Sequence, residues 1–382
     1  MIRDPEFLRE CQAIARAVER YPTIAALRSS AEWGDLERRL RCLLGHVHRH
    51  EPASPPPPSA QPDRLKVVHW NIEHGNWYQQ VERALREHPE LRDADLFLFN
   101  EIDLGMARAG NRDVTGDLAR SLGLYGAWAP LFLETTVGRD DDAHTAAGLA
   151  NQEALFGLAM LSRWPIGKIR VLELPSPEAY QFDLERMVGR HVALIAEILR
   201  PEGTFVAVSS HLEVHRTRAH RAAQMRAIVE ALADERRPVI LGGDFNSHTF
   251  ERGRPQDVLM GATALMFAPT RDLVHRLLFP DRGRNREPLF DELKRAGFEW
   301  NRYGDHVPTL QLRFDRIDEL RTFPRFVQRA ASAALHWAEQ RGQLRLDWFA
   351  GRGWSAGRGF TVEGLNGPGL ASDHAPIVAE LW

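Results

Sequence analysis

Leu241-Gly242-Gly243-Asp244-Phe245-Asn246 decides how this chain is read. It closes the apolar run Pro238-Val-Ile-Leu241, which has the length and composition of a short buried strand. Two glycines at a strand end let the backbone turn tightly. Asp244 and Asn246 occupy alternate positions and so project to one side, because successive side chains of an extended chain point to opposite faces. A carboxylate and an amide at the mouth of an apolar strand serve core packing badly and chemistry well.

Four further polar clusters follow apolar runs in the same way. Trp70-Asn71-Ile72-Glu73-His74 ends the strand that begins at Leu65. Asn71 can donate to and accept from a phosphate or water, or simply make a strand-end turn. Asn100-Glu101-Ile102-Asp103 follows Asp95-Leu-Phe-Leu-Phe99, and a carboxylate there suits a hard cation as well as a solvated loop. Ser209-Ser210-His211-Leu212-Glu213-Val214-His215 follows Phe205-Val-Ala-Val. Arg345-Leu346-Asp347-Trp348-Phe349 and Ser372-Asp373-His374 form the last pair. There an acid can orient an imidazole that stabilises or protonates a phosphate.

Taken in order (W-N, N-E, S-H-L, G-D-F-N, R-L-D-W, S-D-H), residues 65–382 resemble the endonuclease/exonuclease/phosphatase superfamily, the deoxyribonuclease I-like fold. The resemblance implies an α/β architecture, a four-layer α/β/β/α sandwich with the motif loops along one edge of two sheets. It also implies hydrolysis of a phosphodiester dependent on Mg2+ or Mn2+. Carried over by position, Glu101 is the principal metal ligand, and Asn71 and Asp373 complete the metal and phosphate contacts. Asp244 orients or deprotonates the attacking water, and Asn246 faces the scissile phosphate. His374 contacts phosphate oxygens, held by Asp347, while His211 stands opposite as a second phosphate ligand or leaving-group acid. Phe314-Asp-Arg-Ile-Asp318-Glu319 also mimics the strand acid; Asp347 is preferred because its distance to Asp373 suits a strand, a loop and a strand. Arg190 is either a substrate-phosphate contact or a surface arginine.

Composition bounds the alternatives. With 382 residues and 43% of them hydrophobic, the chain can bury a large core. A net charge of −3 excludes nucleic-acid binding through overall charge, leaving only a local basic groove. Two cysteines, Cys11 and Cys42, make no disulfide framework. The charged N-terminus lacks the apolar stretch of a secretory signal, and no run has the length of a membrane span, so a cytoplasmic location is expected.

Residues 1–50 read as a helical appendage, with Phe7, Leu8, Cys11, Ile14, Ala15 and Val18 at helical spacing, then Leu36, Leu40, Leu43 and Leu44. It is either a hairpin packed on the main body or a partner-binding module. Residues 51–63 form a proline-rich linker, and 64–382 the phosphoesterase domain, with an insertion around 248–340. Within that insertion 258–268 reads as a core helix and Phe326–Gln340 as a second helix.

Ser-His-Leu-Glu with Arg221 and Gln224 resembles the deoxyribonuclease, sphingomyelinase and tyrosyl-DNA phosphodiesterase branches. Nucleic acid, DNA or RNA, is the leading substrate expectation. It calls for a basic, aromatic-bearing groove, which Asp281-Arg-Gly-Arg-Asn-Arg286 with Arg352, Trp354 and Arg358 would furnish. The acidic run Asp140-Asp141-Asp142 would repel a polyanion if it lay near the site. A phospholipid, sphingomyelin or inositol-phosphate ester is the alternative. A non-catalytic scaffold is the third reading, which the retained acids oppose.

Overall fold

Both faces of the central strands are apolar, and that dictates the layering. The computed structural model describes residues 4–59, 63–138, 142, 145–176, 182, 185–252, 255–311 and 342–382. Its strands begin with β1 (His48–His50), β2 (Leu65–His74), β3 (Leu96–Leu104), β4 (Tyr125–Glu134) and β5 (Leu155–Ser162). They continue with β6 (Ile166–Glu173), β7 (Met187–Gly189), β8 (Val192–Ile198), β9 (Phe205–His211) and β10 (Val239–Asp244). The last are β11 (Leu310–Gln311), β12 (Gln343–Leu344), β13 (Asp347–Arg352), β14 (Gly357–Thr361) and β15 (Ile377–Leu381). One sheet runs β1-β4-β5-β3-β2-β15-β14 with β7 beside β4; the other runs β13-β10-β9-β8-β6.

Side chains alternate between strand faces, so Val67 and Val68 enter different cores. Val67, Leu98, Ala129 and Met160 meet Leu194, Ala207, Ile240 and Phe349 between the sheets. On the outer face of the first sheet, Val68, Trp70, Phe97 and Phe99 join the apolar residues of α1 (Pro5–Glu19), α2 (Ile24–Arg28), α3 (Trp33–Leu44), α4 (Tyr78–Glu87) and α5 (Val114–Leu122). Outside the second sheet, Ile195, Val208, Leu241 and Trp348 pack on the helices Arg218–Ala231 and Leu289–Arg295. This is the four-layer α/β/β/α sandwich.

The N-terminal region is built into that core. Cys11, Ile14, Val18, Leu36, Leu40 and Leu43 share one buried cluster with Trp128, Leu133 and Val188. Burial of an aliphatic side chain contributes about 1.5–3 kcal/mol, so several together hold the helices on the sheet. The Asp4 carboxylate caps α1 by accepting from the Glu6 N–H at 2.9 Å. The all-helical reading of 1–50 misses β1, which pairs His48 with Trp128 at the sheet edge; three residues are too few to show a period. Glu51 to Ser59 carry no helix or strand.

Besides the short strands, β4 and β6 escape the sequence patterns. β4 contains Pro130, which ordinarily argues against an interior strand, and the chain accommodates it with a register shift between Pro130 and Phe132. The stretch 258–268 is helical through Phe267, the end of the helix Pro255–Phe267, and two of its apolar side chains face outward: Met260 is 62% and Phe267 78% exposed. Asp318, the segment 314–319 and the expected helix 326–340 lie outside the described residues. Among the described residues no helix is long and apolar enough to cross a membrane.

Candidate active site

The registers bring the polar clusters to one edge. Asp244 at the end of β10 pairs with His211 at the end of β9 and with Asp347 at the start of β13. In the other sheet Asn71 pairs with Asn100. Bulges after Asn71 in β2 and after Phe99 in β3 break the ladder there and turn the side chains toward the facing sheet. Glu73, His74, Glu101 and Asn246 all have positive φ, between 45° and 66°. Non-glycine residues rarely hold that conformation, and such strain gathers where function fixes the backbone. Gly243 lies flush against the Ser210 backbone carbonyl, where any Cβ would collide, so the close approach of β10 to β9 requires glycine.

Polar side chains bridge the sheets at this edge. Asn100 donates from Nδ2 to Ser209 Oγ at 3.2 Å and accepts at Oδ1 from the Asp244 N–H at 2.8 Å. Asn71 Nδ2 lies 3.0 Å from Glu101 Oε1 and 3.4 Å from Asp244 Oδ2, and its Oδ1 accepts from the Glu73 N–H at 3.2 Å. That last bond fixes the amide with its donor toward the two carboxylates. Asn71 therefore serves as a donor between two acids, where the sequence suggested a metal contact.

Asp347 is fully buried between two imidazoles. Its Oδ2 lies 2.8 Å from His374 Nδ1, and its Oδ1 lies 2.9 Å from His69 Nε2. Burial works to raise the Asp347 carboxyl, but His374 and His69 outweigh it and hold it well below the usual carboxylate range. Burial works to keep His374 neutral; Asp347, Asp373 and Asp244 outweigh it and raise the imidazole well above its ordinary value. Asp244 moves the other way. Burial and the Asp347 charge raise it against the pull of His374, His211 and the Asn246 N–H. Two carboxylates thus hold unequal proton affinities, the division of labour that acid–base chemistry uses.

His374 Nε2 and His211 Nε2 approach Asp244 Oδ2 from two sides, at 3.8 and 3.6 Å. The Trp70 indole N–H donates to the His374 carbonyl at 2.8 Å, and Ser372 Oγ donates to the Asn71 carbonyl at 2.7 Å. These two bonds pin the Ser372-Asp373-His374 loop to β2.

Glu101 lies across from Asp244, its side chain 22% exposed, with Oε2 3.5 Å from His74 Nε2 and Oε1 3.9 Å from His211 Nε2. Burial pushes Glu101 up; His74, His211, Asn71 and His374 overcome it and bring the carboxyl down to about 2. Burial and Arg108 disfavour the charged form of His74, and Glu101 with Asp103 raise it to about 9. Glu101 is a partly open carboxylate of the hard-oxygen kind that a small divalent cation takes, and Asp373 is half-buried on the loop held against β2. Asp244, Asp347 and His374 also converge, one ligand atom of each within 4.8 Å of the others. The Asp347–His374 contact is already a 2.8 Å hydrogen bond, however, so this group is better described as an oriented imidazole than as a cation cage.

Arg190 lies elsewhere. Its guanidinium donates to the Leu44 carbonyl at 3.1 Å and pairs with Glu173 at 3.4 Å, joining α3 to β6 rather than facing the phosphate position. Asn246 turns its amide N–H to the Leu212 carbonyl at 2.7 Å and its backbone N–H to Asp244 Oδ1 at 2.8 Å, so it secures the loops after β9 and β10. Arg352, Trp354 and Arg358 are at the wrong end for a groove. Arg352 pairs with Val239, at the opposite end of β10 from Asp244, and Arg358 pairs with Glu380 on the β14–β15 ladder.

Several residues of the site went unnoticed in the sequence. His69 is one; its place on the inward face of β2, beside Val67, was the available signal. His191 is another, with Nε2 2.8 Å from Glu213 Oε2 and Nδ1 3.3 Å from the His211 carbonyl. Behind Glu101 a fully buried set joins Asp103, Arg108 and Glu134, with Arg108 Nε 2.8 Å from Asp103 and Nη2 2.9 Å from Glu134.

The family model described as Endonuclease/Exonuclease/phosphatase family matches residues 68–374. Among solved structures, an endonuclease/exonuclease/phosphatase from Beutenbergia cavernae superposes with a TM-score of 0.50 at 17% identity, covering 83% of this chain and 71% of that one. Sphingomyelinase C from Streptomyces griseocarneus gives a TM-score of 0.46 at 13% identity, covering 83% of this chain and 99% of that one. Truncated TDP2 from Caenorhabditis elegans gives 0.43 at 15% identity, covering 84% and 98%. No protein with a curated description matches the chain.

Proposed function

The chain belongs to the endonuclease/exonuclease/phosphatase family, and on that premise we propose that it hydrolyses a phosphodiester with the help of a divalent cation. The observation that carries the proposal is the buried Asp244 carboxylate, flanked by Asn71 and two imidazoles and facing the ionised Glu101. Glu101 and Asp373 would hold Mg2+ or Mn2+, which when bound neutralises charge on the phosphate. Asp244, with a raised proton affinity, accepts a proton from water and aligns it for in-line attack. His374, carrying its proton and held by Asp347, donates to the phosphate oxygens as negative charge gathers there. His211 donates from the other side of Asp244, toward the leaving group.

Nucleic acid is the substrate we favour. The support is the loop after β10, where the Arg276 guanidinium lies 4.1 Å above the Phe250 ring and Arg218 pairs with the adjoining Glu251 at 2.7 Å. Cation and aromatic side by side suit a phosphate backbone with stacked bases. The exposed Met260 and Phe267 favour a second reading, a phosphodiester presented by a lipid.

The test is a substrate panel with and without Mg2+ or Mn2+. It contains bis(p-nitrophenyl) phosphate, single- and double-stranded DNA, RNA, sphingomyelin and inositol phosphates. Metal-dependent cleavage of nucleic acid is expected. Turnover of sphingomyelin alone would replace the first reading with the second, and turnover of none would remove the proposal.

A further inference from the structure

His69 is the side chain the chemistry above does not use, yet it sits in the same hydrogen-bond chain. It is fully buried, and its two ring nitrogens face two different acceptors: Nδ1 the Leu98 carbonyl at 3.1 Å, Nε2 Asp347 Oδ1 at 2.9 Å. A carbonyl can only accept, so Nδ1 carries a proton. The Nε2–Oδ1 contact also needs a proton within it, supplied by one partner or the other. The ring is held on both sides, with no freedom to turn.

The placement across the fold matters as much. His69 stands on β2 in the first sheet and Asp347 on β13 in the second, so this contact crosses the interface between the sheets. Asp347 has two oxygens, and with Oδ1 taken by His69 only Oδ2 remains for His374 Nδ1. A carboxylate free to rotate would present either oxygen in several orientations. The Asp347 N–H is used as well, donating to Thr309 Oγ1 at 3.3 Å.

We propose that His69 is a positioning residue for the reaction: it locks the Asp347 carboxylate so that His374 keeps Nδ1 bonded to it and Nε2 turned toward the phosphate. The inference rests on the phosphoesterase reading for its effect on rate, but not for its effect on the His374 ring. Outer-shell partners that orient metal-ligating histidines are worth about 10–100-fold in affinity or activity, and the same order is expected here.

The experiment compares H69Q, H69N and H69A. The amide nitrogen of Gln falls near the position of Nε2 and can donate to Asp347. That of Asn falls near Nδ1 and reaches only the Leu98 carbonyl. Using bis(p-nitrophenyl) phosphate with Mn2+, H69A and H69N should lose about 10–100-fold in kcat with KM changed less than threefold, whereas H69Q should recover most of the rate. In parallel, 15N spectra of histidine-labelled protein, with His374 assigned by its loss in H374Q, should show a protonated, protected Nδ1 in wild type and H69Q. That signal should shift or broaden in H69N. This second arm needs no substrate, so it decides the inference even if the panel above finds no turnover. Equal kcat in H69Q and H69N, or an unchanged His374 spectrum in H69N, would overturn it. Should H69A fail to fold, the Gln–Asn pair carries the comparison.

Discussion

Replacing Asp244 by Asn should separate catalysis from stability. The substitution keeps the shape of the side chain and the Oδ1 acceptor that takes the Asn246 N–H at 2.8 Å. What disappears is the charge on Oδ2, which faces His211 at 3.6 Å and His374 at 3.8 Å, and with it the general base proposed above. General-base catalysis contributes roughly 100- to 10,000-fold, so kcat should fall by about 1,000-fold, or about 4 kcal/mol. Stability should move the opposite way. Burial and Asp347 raise the Asp244 proton affinity, so the native state binds its proton more tightly than the unfolded chain does. The contribution of such a group is full at low pH and is lost as pH rises through the native value. D244N escapes that loss, so its melting temperature should equal wild type below the ordinary value of 3.8 and exceed it once pH has risen through the raised native value. The assays are Mn2+-dependent release of p-nitrophenol and calorimetric melting from about pH 3 to pH 8. A kcat within tenfold of wild type, or a variant less stable at neutral pH, would refute the reasoning.

Four further outcomes are expected. E101Q should abolish the rise in melting temperature that Mg2+ gives wild type, because a cation that binds the native state stabilises it; titration calorimetry checks the affinity directly. His48 is pushed down to about 4, first by burial and then by His46 and His50, so its contribution is present above its ordinary value of 6.5 and is lost as pH falls toward 4. Wild type should therefore lose about 2 kcal/mol more than H48Q between pH 7 and pH 5, read from urea unfolding. I14A, at a fully buried position in α1, should cost about 2–4 kcal/mol within a single transition; a separate early transition would show that the N-terminal helices unfold independently. G243A should be destabilising and nearly inactive, since its Cβ strikes the Ser210 carbonyl beside Asp244; normal melting with normal activity would contradict the close-approach argument.

The motif order made the sandwich and most of the site legible. Each of Asn71, Glu101, His211, Asp244, Asp347 and His374 follows or begins an apolar run, and the strand registers then bring them together. What remained hidden depends on side-chain direction, which a linear pattern does not carry. Arg190 adjoins the right strand, but its guanidinium turns to Leu44 and Glu173. Arg352 follows the right strand as well, but from its far end. His69 was hidden for the opposite reason: a histidine inside an apolar strand looks like an interruption until its partner, 278 positions later, is known. β4 is obscured by Pro130, and composition alone does not say that Met260 and Phe267 of the helix Pro255–Phe267 face outward.

The cross-sheet bonds have a kinetic corollary. Asn71, Glu101 and His69 hang from one sheet, and His211, Asp244 and Asp347 from the other. The Asn71–Asp244, Asn100–Asp244 and His69–Asp347 contacts each need both sheets. During refolding, hydrolytic competence should consequently return only at the step in which the two sheets close on each other, after strand signals in circular dichroism have recovered. Turnover becomes a clock for that closure, and substitutions at Asn100 or Ser209, which bond to each other across the sheets, should delay it.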